Sequence, residues 1–397
     1  MSDPDASDPD ASDPVSQRRS HLGTGTIAAL SAGLTIGYLA GNMLPEVVDA
    51  LVDDLGLTPS VAGGITTAAL VATAVAGTTY AHRATRSGRG RSAVVGAGLV
   101  AVGYAAAALA PGTAALGVSL VVAGFGGGIV LANTTAATTA TGDPDKAVGT
   151  AVLISTLVGA VMLLALPILT GGNAATLMLA LMVTGLAVIP LVRRLPDHSV
   201  EDHGPVGPLP HRGIGAAIFA GVLLLYATDN GMWAYLGTIG TEVVGLSGNA
   251  VGLVLALGYV AGFLGALLQV VVGKRWGRFG PIVVLVIVAT VAKVAIVMLP
   301  FTPAFGTSQL VWSFAHSALF AFLLACGAAL DHAGRWAAII GAAFAFGSAL
   351  GPVMTGVIGT RGGVATFVIV TLVCGAGVLL LLGPASVRLD RIGPRSA

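Results

Sequence analysis

The chain is built from long apolar segments separated by short polar connections. Each apolar segment holds about 20 residues, and a helix of that length, rising about 1.5 Å per residue, crosses a hydrocarbon core of about 30 Å. The pattern therefore predicts a series of twelve transmembrane helices. The predicted spans are residues 24–45, 60–81, 92–110, 114–138, 147–169, 174–192, 214–238, 250–272, 281–299, 307–330, 336–358 and 364–384.

The composition agrees with this pattern. Hydrophobic residues make up 55% of the chain and charged residues only 9%, whereas roughly 25% of the residues in a soluble domain are charged. The 57 glycines would weaken helices in water, but in lipid they allow helix backbones to approach closely. The sequence predicts an all-α membrane protein.

The basic side chains are concentrated in alternate connections. If the N-terminus is cytoplasmic, the cytoplasmic segments hold nearly all of the 19 Lys and Arg residues, while Arg361 lies outside and Lys293 lies within a span. Cytoplasmic connections of membrane proteins carry such an excess of positive charge. The distribution predicts an even number of crossings in the plasma membrane, with both termini cytoplasmic.

Polar segments divide the chain into two halves and two tails. Residues 1–21 are acidic and low in complexity, so we expect them to be disordered, and they do not have the pattern of a signal peptide. The longest internal polar segment, 193–213, is expected to be a cytoplasmic loop. It separates an N-terminal half, 22–192, from a C-terminal half, 214–385, and residues 386–397 form a cytoplasmic tail.

The two halves are related by an internal repeat. Sliding the chain against itself by about 190 residues brings the start of the first span onto the start of the seventh. The same shift places Pro59 on Asn249, and it places the basic loop TRSGRGR at 85–91 on KRWGRFG at 274–280. Two six-helix halves in parallel orientation match a known plan of secondary transporters.

The basic loops resemble a signature of the major facilitator superfamily, Gly-x-x-x-Asp-Arg-x-Gly-Arg-Arg, which lies between helices 2 and 3. The matching residues are Arg86, Gly88 and Arg89 in the first copy and Arg275, Gly277 and Arg278 in the second. Thr85 and Lys274 stand where the signature has Asp, so the chain departs from the family's charge lock at this loop.

The resemblance covers residues 22–385. A segment of span 11, GSALGPVMTG at 347–356, also resembles the Gly- and Pro-rich helix of the same family. The resemblance implies two six-helix halves related by a pseudo-two-fold axis, with helices 1, 4, 7 and 10 lining a central cavity. We also expect a protein that works as a monomer and carries no cofactor.

Three of those helices carry polar or aromatic side chains on one face at helical spacing. These candidate cavity residues are Ser31, Thr35, Tyr38 and Asn42 in span 1, Tyr226, Asp229, Asn230 and Trp233 in span 7, and Gln309, Trp312, Ser313, His316 and Phe320 in span 10. The alternative for the Ser and Thr residues is helix packing, because their hydroxyls commonly bond across helices.

Three titratable groups are expected at one level in the membrane. At about 1.5 Å per residue, Asp229, Lys293 and His316 each lie roughly 4 to 5 Å outside the midpoints of their spans. A charge at that depth costs at least about 2.5 kcal/mol, so each group should face a cavity or a partner. Asp229 either pairs with Lys293 and ties helices 7 and 9 together, or it binds and releases protons. His316 either relays protons, binds substrate or is a satisfied core histidine.

A second acidic group stands at the outer end of span 1. Its members are Glu46, Asp49, Asp53 and Asp54. We expect a solvated cap, although Asp49 continues the stripe of Tyr38 and Asn42 and is a candidate for an outer vestibule.

Several kinds of function have no support in the sequence. It contains no GxxxxGK[ST], HExxH or paired CxxC motif, and Cys326 and Cys374 lie inside spans. We therefore expect no enzyme, no bound metal and no direct use of ATP. Without a sustained basic face or an aromatic nucleic-acid module, we also expect no nucleic acid partner.

The resulting hypothesis is a secondary transporter that works by alternating access. Its expected partners are a small organic substrate, protons and the lipid bilayer, and the resemblance to compact bacterial drug and sugar exporters favours efflux. One alternative is proton-coupled uptake of an organic anion or nutrient, with Lys293 and His316 binding a carboxylate. Another is a membrane sensor or scaffold that has kept the fold without transport.

Overall fold

The computed structural model describes residues 23–84, 88–139, 141, 144–197, 209–272, 276–330 and 335–392. The expected disordered tail, 1–21, lies outside them. The regular elements of the described residues are α-helices and two short π turns. Eleven of the helices are long and apolar enough to cross a membrane, and Thr24–Gly37 is a shorter apolar helix. The prediction of an all-α membrane protein with two six-helix halves is confirmed.

The helices are numbered here in chain order as α1 to α12. The first, α1, has the segments Thr24–Gly37, Leu39–Asn42 and Leu44–Asp49 and ends in a π turn, Ala50–Asp54. It is followed by α2 Pro59–Ala84, α3 Arg89–Ala108, α4 Thr113–Thr139, α5 Pro144–Thr170 and α6 Ala174–Val192. The C-terminal half has α7 Arg212–Ala234, continued by Leu236–Thr238 and the π turn Ile239–Val243, then α8 Gly248–Val272, α9 Phe279–Met298, α10 Thr302–Leu330, α11 Arg335–Arg361 and α12 Gly363–Ile392.

We call the side of the bundle where α1 begins and α12 ends the terminal face, and the opposite side the distal face. Two element ends differ from the sequence prediction. The last helix continues to Ile392, where a tail was expected from residue 386, and α7 begins at Arg212 within the expected loop 193–213. The amphipathic sequence ASVRLDRI explains the longer helix, since it places Leu389 in the core and Arg391 in solvent.

The first helix is bent rather than interrupted. The backbone N–H of Tyr38 still donates to Leu34, and that of Asn42 donates to Tyr38. Pro45 has no N–H to donate to the carbonyl of Gly41 one turn earlier, and proline in this position bends a helix. The freed Gly41 oxygen instead accepts a hydrogen bond of 3.0 Å from the indole N–H of Trp233 in α7.

Contacts within the two halves follow the same plan. In the N-terminal half α4 packs on α2 and α3, and α3 packs on α6; in the C-terminal half α10 packs on α8 and α9, and α9 packs on α12. Between the halves, α2 packs on α11 and α5 on α8. Each contact thus has a counterpart in the other half, as a pseudo-two-fold axis requires.

The two halves correspond most closely at the distal ends of α1 and α7. An offset of 189 residues superimposes their two π turns, and it relates Gly56 to Gly245, whose φ angles are 63° and 78°. Glycine occupies both positions because other residues rarely adopt positive φ. The structure thus refines the offset of about 190 residues found by sliding the sequence.

Several hydrogen bonds join the two halves near the distal face. In addition to the bond from Trp233 to Gly41, the hydroxyl of Tyr235 donates to the carbonyl of Pro59 at 2.6 Å. The backbone N–H of Val353 donates to the hydroxyl of Thr67 at 3.1 Å. The halves are therefore closed against each other on the distal side.

Candidate functional site

The carboxylate of Asp229 is the centre of a buried polar cluster. Its Oδ1 accepts a hydrogen bond of 2.6 Å from the Lys293 ammonium, and its Oδ2 lies 2.8 Å from Nδ1 of His316. The three side chains come from α7, α9 and α10, near the middle of the bundle. Asp229 is 1% exposed and Lys293 is 3% exposed, while the His316 side chain remains 32% exposed. Of the three, His316 alone is substantially open to solvent.

The Lys293 ammonium has a second acceptor. Nζ donates to the hydroxyl of Thr228 at 3.0 Å, and that hydroxyl directs its own hydrogen to the carbonyl of Leu225 at 2.8 Å. A buried charge is costly unless it is paired and hydrogen-bonded. Asp229 and Thr228 together meet this requirement for Lys293. Sequence reasoning missed Thr228, and its only signal was its position next to Asp229.

The contacts of His316 define its two ring nitrogens. A carboxylate beside an ammonium stays ionised and accepts hydrogen bonds, so the hydrogen of a neutral His316 is assigned to Nδ1, facing Asp229. Nε2 then has a free lone pair and is the nitrogen that can accept a proton.

Aromatic rings surround His316. The ring of Tyr226 meets it edge-on at 5.1 Å between centroids, and the ring of Trp312 lies 6.0 Å away. Tyr226 also packs edge-on against Phe320 at 5.9 Å and against Phe344 at 4.5 Å. Phe344 belongs to α11, which the sequence analysis did not place at the cavity. The structure thus brings four predicted residues and one new residue into a single aromatic group.

Other predicted cavity residues make contacts between or within helices. The amide of Asn230 donates to the carbonyl of Ser348 in α11 at 2.8 Å. The amide of Gln309 donates to the Ser313 hydroxyl at 3.1 Å, and both belong to α10. Trp233 contacts the ring of Tyr259 in α8 at 5.8 Å, in addition to its bond to Gly41.

The predicted stripe of α1 changes in exposure along its length. The hydroxyls of Ser31 and Thr35 are buried and donate to the carbonyls one turn earlier in their own helix, at 2.8 Å each. Tyr38 is 40% exposed although it lies near the middle of α1, and Asn42 is partly exposed. The open part of this stripe therefore lies between Tyr38 and Asn42.

The loop motif of the N-terminal half is held by an acid from another part of the chain. The Asp197 carboxylate, which follows α6, accepts from the backbone N–H groups of Gly88 at 2.7 Å and Arg89 at 3.0 Å. The Arg89 guanidinium donates to the carbonyl of Pro196 at 3.2 Å. Backbone N–H groups at a helix N-terminus favour such a carboxylate.

The second loop motif has the same arrangement. Asp390 in α12 accepts from the N–H of Arg278 at 3.0 Å and from that of Phe279 at 3.2 Å, and Gly277 packs beside its carboxylate. A salt bridge of 3.3 Å joins Arg278 to Asp390. In each half, an aspartate from outside the loop, Asp197 or Asp390, thus binds the loop motif, whose own signature Asp is replaced by another residue. The sequences RLPD and RLD that end in these acids were the available signal. Arg86 and Arg275 lie outside the described residues.

The described residues contain no group of three or more His, Cys, Asp or Glu side chains arranged to hold a metal ion. The cluster around Asp229 combines a carboxylate, an ammonium and one imidazole, which are joined by hydrogen bonds.

Comparison with known proteins places this geometry in a family. Residues 26–330 match the Major Facilitator Superfamily, and no curated protein matches the chain. The chain belongs to this superfamily and is a multi-pass membrane transporter of the secondary type.

Solved structures share the fold at low sequence identity. A peptide transporter, POT, in complex with sulfate is 15% identical with a TM-score of 0.72, covering 96% of this chain and 98% of its own. A bacterial homologue of the human lysosomal transporter Spinster, inward-facing and occupied, is 14% identical with a TM-score of 0.70, covering 92% and 93%. A D-xylose-proton symporter is 13% identical with a TM-score of 0.68, covering 91% and 98%.

Proposed function

We propose that this chain is a proton-coupled transporter that exports a small, uncharged or weakly polar organic molecule by alternating access. The observation that carries the proposal is the bond between the partly exposed ring of His316 and the buried carboxylate of Asp229. In this proposal His316 carries the proton, and Asp229 is the fixed counter-ion that it shares with Lys293.

The charge of the cluster supports this division of roles. With Asp229 ionised, Lys293 charged and His316 neutral, the cluster has no net charge. Protonation at Nε2 of His316 gives it one positive charge. A charge inside the bundle costs at least about 2.5 kcal/mol unless water or a partner compensates it. The protonated form is therefore favoured while the cavity is open to water, which links proton binding to the conformational cycle.

The surroundings of the cluster support an uncharged substrate. The Lys293 ammonium is used by Asp229 and Thr228, so it offers no free charge to an organic anion. The buried rings of Tyr226 and Trp312 pack against His316, and the partly exposed ring of Phe320 packs against Tyr226, so His316 has aromatic surroundings. Uptake of an anion would require Lys293 to leave Asp229, and for this reason we rank that alternative second.

The orientation follows from the basic residues. We infer that the terminal face is cytoplasmic and the distal face is outside, and that the protein works as a monomer in the plasma membrane. The short connections, shared with compact exporters of the superfamily, support export. The D-xylose-proton symporter shares this fold, so direction needs its own test.

The test uses purified protein in proteoliposomes and a deletion strain. A panel of neutral amphiphilic compounds and sugars is first screened by thermal shift, and compounds that bind are then assayed for flux with a pH-sensitive dye inside the vesicles. We expect proton movement opposite to the substrate, and more of the compound retained in cells that lack the protein. Proton movement with the substrate, or binding without flux, would contradict export and support the symporter or the sensor, respectively.

A further inference from the structure

Two phenols and one amide have no hydrogen-bond partner where α1, α5 and α8 converge. A Cβ on Gly159 of α5 would lie 3.1 Å from Cε1 of Tyr259 in α8 and 3.7 Å from Nδ2 of Asn42 in α1. Both of these side chains are partly exposed. Among the described residues, none hydrogen-bonds the side chain of Asn42, of Tyr259 or of Tyr38, which lies one turn before Asn42. We call Tyr38, Asn42 and Tyr259 the polar wall.

The side chain of Tyr38 faces the space between the two halves. Further along α1, the carbonyl of Gly41 accepts from the indole N–H of Trp233 in α7. The next residue, Asn42, approaches Tyr259 in α8. Tyr38 stands three and four residues before these two positions, so its side chain lies on the same face of the helix. The exposure of Tyr38, 40% near the middle of α1, is therefore exposure to an interior space rather than to lipid.

Tyr38 lies at the level of the cluster around Asp229. The bond from Trp233 to Gly41 fixes the register of α1 and α7, which run in the same direction because the halves are parallel repeats. Tyr38 precedes Gly41 by three residues, and Asp229 precedes Trp233 by four. At about 1.5 Å per residue, both lie about 5 Å from this bond toward the terminal face. Tyr38 of the N-terminal half and His316 of the C-terminal half are both accessible at this level, so they line opposite walls of one space.

The polar wall offers hydrogen bonds without charge. Each phenol can donate one hydrogen bond and accept others, and the amide of Asn42 can donate two and accept others. Beside these groups, the rings of Trp233 and Tyr259 lie 5.8 Å apart and supply apolar surface. A ligand hydroxyl both donates and accepts, so a ring that carries several hydroxyls can bond the polar groups while its C–H face packs on the aromatic rings.

Other kinds of ligand fit the polar wall less well. A wholly apolar ligand would displace water from the two phenols and the amide and give no hydrogen bond in return, which is unfavourable for each group. An organic anion would find no cation on the wall, and the nearby ammonium of Lys293 is already bonded to Asp229 and Thr228. The wall therefore favours a ligand that is both neutral and hydroxylated.

We propose that Tyr38, Asn42 and Tyr259 bind a neutral hydroxylated ring, of the class of sugars and glycosides, in the space opposite His316. This inference rests on the proposed function and narrows its substrate from uncharged organic molecules to hydroxylated ones. Tyr38 and Asn42 belong to the N-terminal half and Tyr259 to the C-terminal half. A ligand on the polar wall thus contacts both halves of the transporter.

The test measures the binding of defined glycosides by isothermal titration calorimetry. The parent protein, in nanodiscs free of sugar-based detergent, is titrated with the phenyl β-glycosides of D-glucose, D-galactose and D-xylose, and we expect at least one of them to bind. The same glycoside with every hydroxyl methylated keeps the ring but donates no hydrogen bond, so it should bind about tenfold more weakly or worse. Phenyl β-D-glucuronide, which adds a carboxylate to the glucoside, should also bind more weakly than the neutral glycosides.

Three substitutions test the polar wall itself. Tyr38→Phe and Tyr259→Phe retain the rings and remove only the hydroxyls, and Asn42→Ala removes the amide. Each should weaken binding about 3- to 10-fold, the usual effect of one lost hydrogen bond. The melting temperatures of the two Phe variants without ligand should equal that of the parent, because these hydroxyls have no partner in the described protein. Tyr104→Phe is the control, since Tyr104 is buried on α3, away from the polar wall, and its loss of a hydroxyl should leave binding unchanged.

Several outcomes would overturn the proposal. They are a parent protein that binds none of the three glycosides, a methylated glycoside or a glucuronide that binds as tightly as the neutral parent compound, and a Tyr38→Phe/Asn42→Ala protein with parental affinity. Proton movement is a separate measurement, made with the dye in proteoliposomes. A protein that binds a glycoside through the polar wall and carries it without protons would support this substrate class and contradict the proposed proton coupling, so the two failures are distinguishable.

Discussion

Nζ of Lys293 lies 2.6 Å from Oδ1 of Asp229, and both side chains are almost fully buried. Removing one member of such a pair leaves an uncompensated charge, while replacing both removes the charge and its cost together. The structure therefore predicts opposite outcomes for single and double substitution.

Lys293→Met should lower the free energy of unfolding by about 3 to 5 kcal/mol, because Asp229 then lacks its ammonium partner. Asp229→Asn/Lys293→Met should recover most of the loss. The apparent melting temperature in detergent reports both changes. Lowering the pH should partly rescue Lys293→Met, because protonated His316 then supplies the missing charge. Equal destabilisation in the single and double variants would contradict the ion pair.

Thr228→Val keeps the shape of the side chain and removes the second acceptor of Lys293. We expect a loss of about 1 to 3 kcal/mol in stability, typical of a buried charged donor that loses a partner. Thr228→Ser should be close to the parent, because serine retains the hydroxyl. The melting temperatures of the two variants check this, and equal values would show that the hydroxyl does not hold the ammonium.

The carboxylates of Asp197 and Asp390 each bind the start of a helix in their own half. Asp197→Ala and Asp390→Ala should each cost about 0.5 to 2 kcal/mol, the usual cost of losing an N-terminal cap. Hydrogen exchange should rise at the first turns of α3 and α9, respectively. Arg194→Gln, at an exposed position beside Asp197, is the control and should leave exchange unchanged.

Gly351 lets α11 approach α7 closely. A Cβ at this position would lie 2.8 Å from the carbonyl oxygen of Ala227 and would also overlap the backbone of Gly231. Gly351→Ala should therefore cost about 1 to 3 kcal/mol, as overpacking does. Gly341, on the same helix, has open space, and Gly341→Ala should be neutral or stabilising by up to about 1 kcal/mol. Similar melting temperatures for both variants would contradict the close packing.

Much of the fold was predictable because it depends on properties that lie along the chain. The lengths of apolar segments give the helices, and the repeated loops give the two halves. The common depth of Asp229, Lys293 and His316 in the membrane could also be predicted, because depth depends on the position along each helix and the rise per residue.

Contacts that depend on the rotation of one helix against another were not predictable. Thr228, Phe344 and Asp197 were missed for this reason. The contact between Asp49 and Thr238 shows the same limit. The sequence shift that places Pro59 on Asn249 pairs Asp49 with Ile239, whereas the structural offset of 189 residues relates Asp49 to Thr238. Among the acids expected to form a solvated cap on α1, Asp53 and Asp54 are exposed, while Asp49 accepts a hydrogen bond from Thr238, which continues α7.

The role of His316 as proton carrier is tested most directly by separating substrate movement from proton movement. Proteoliposomes containing the parent protein, His316→Gln or His211→Asn are given a substrate gradient, and substrate and internal pH are followed together. His211 is exposed, and asparagine tolerates its φ of 48°, so it is the matched control. We predict that the parent and His211→Asn move protons in a fixed ratio to the substrate transported. His316→Gln should transport the substrate without moving protons. Proton movement by His316→Gln at the parental ratio would contradict the central claim.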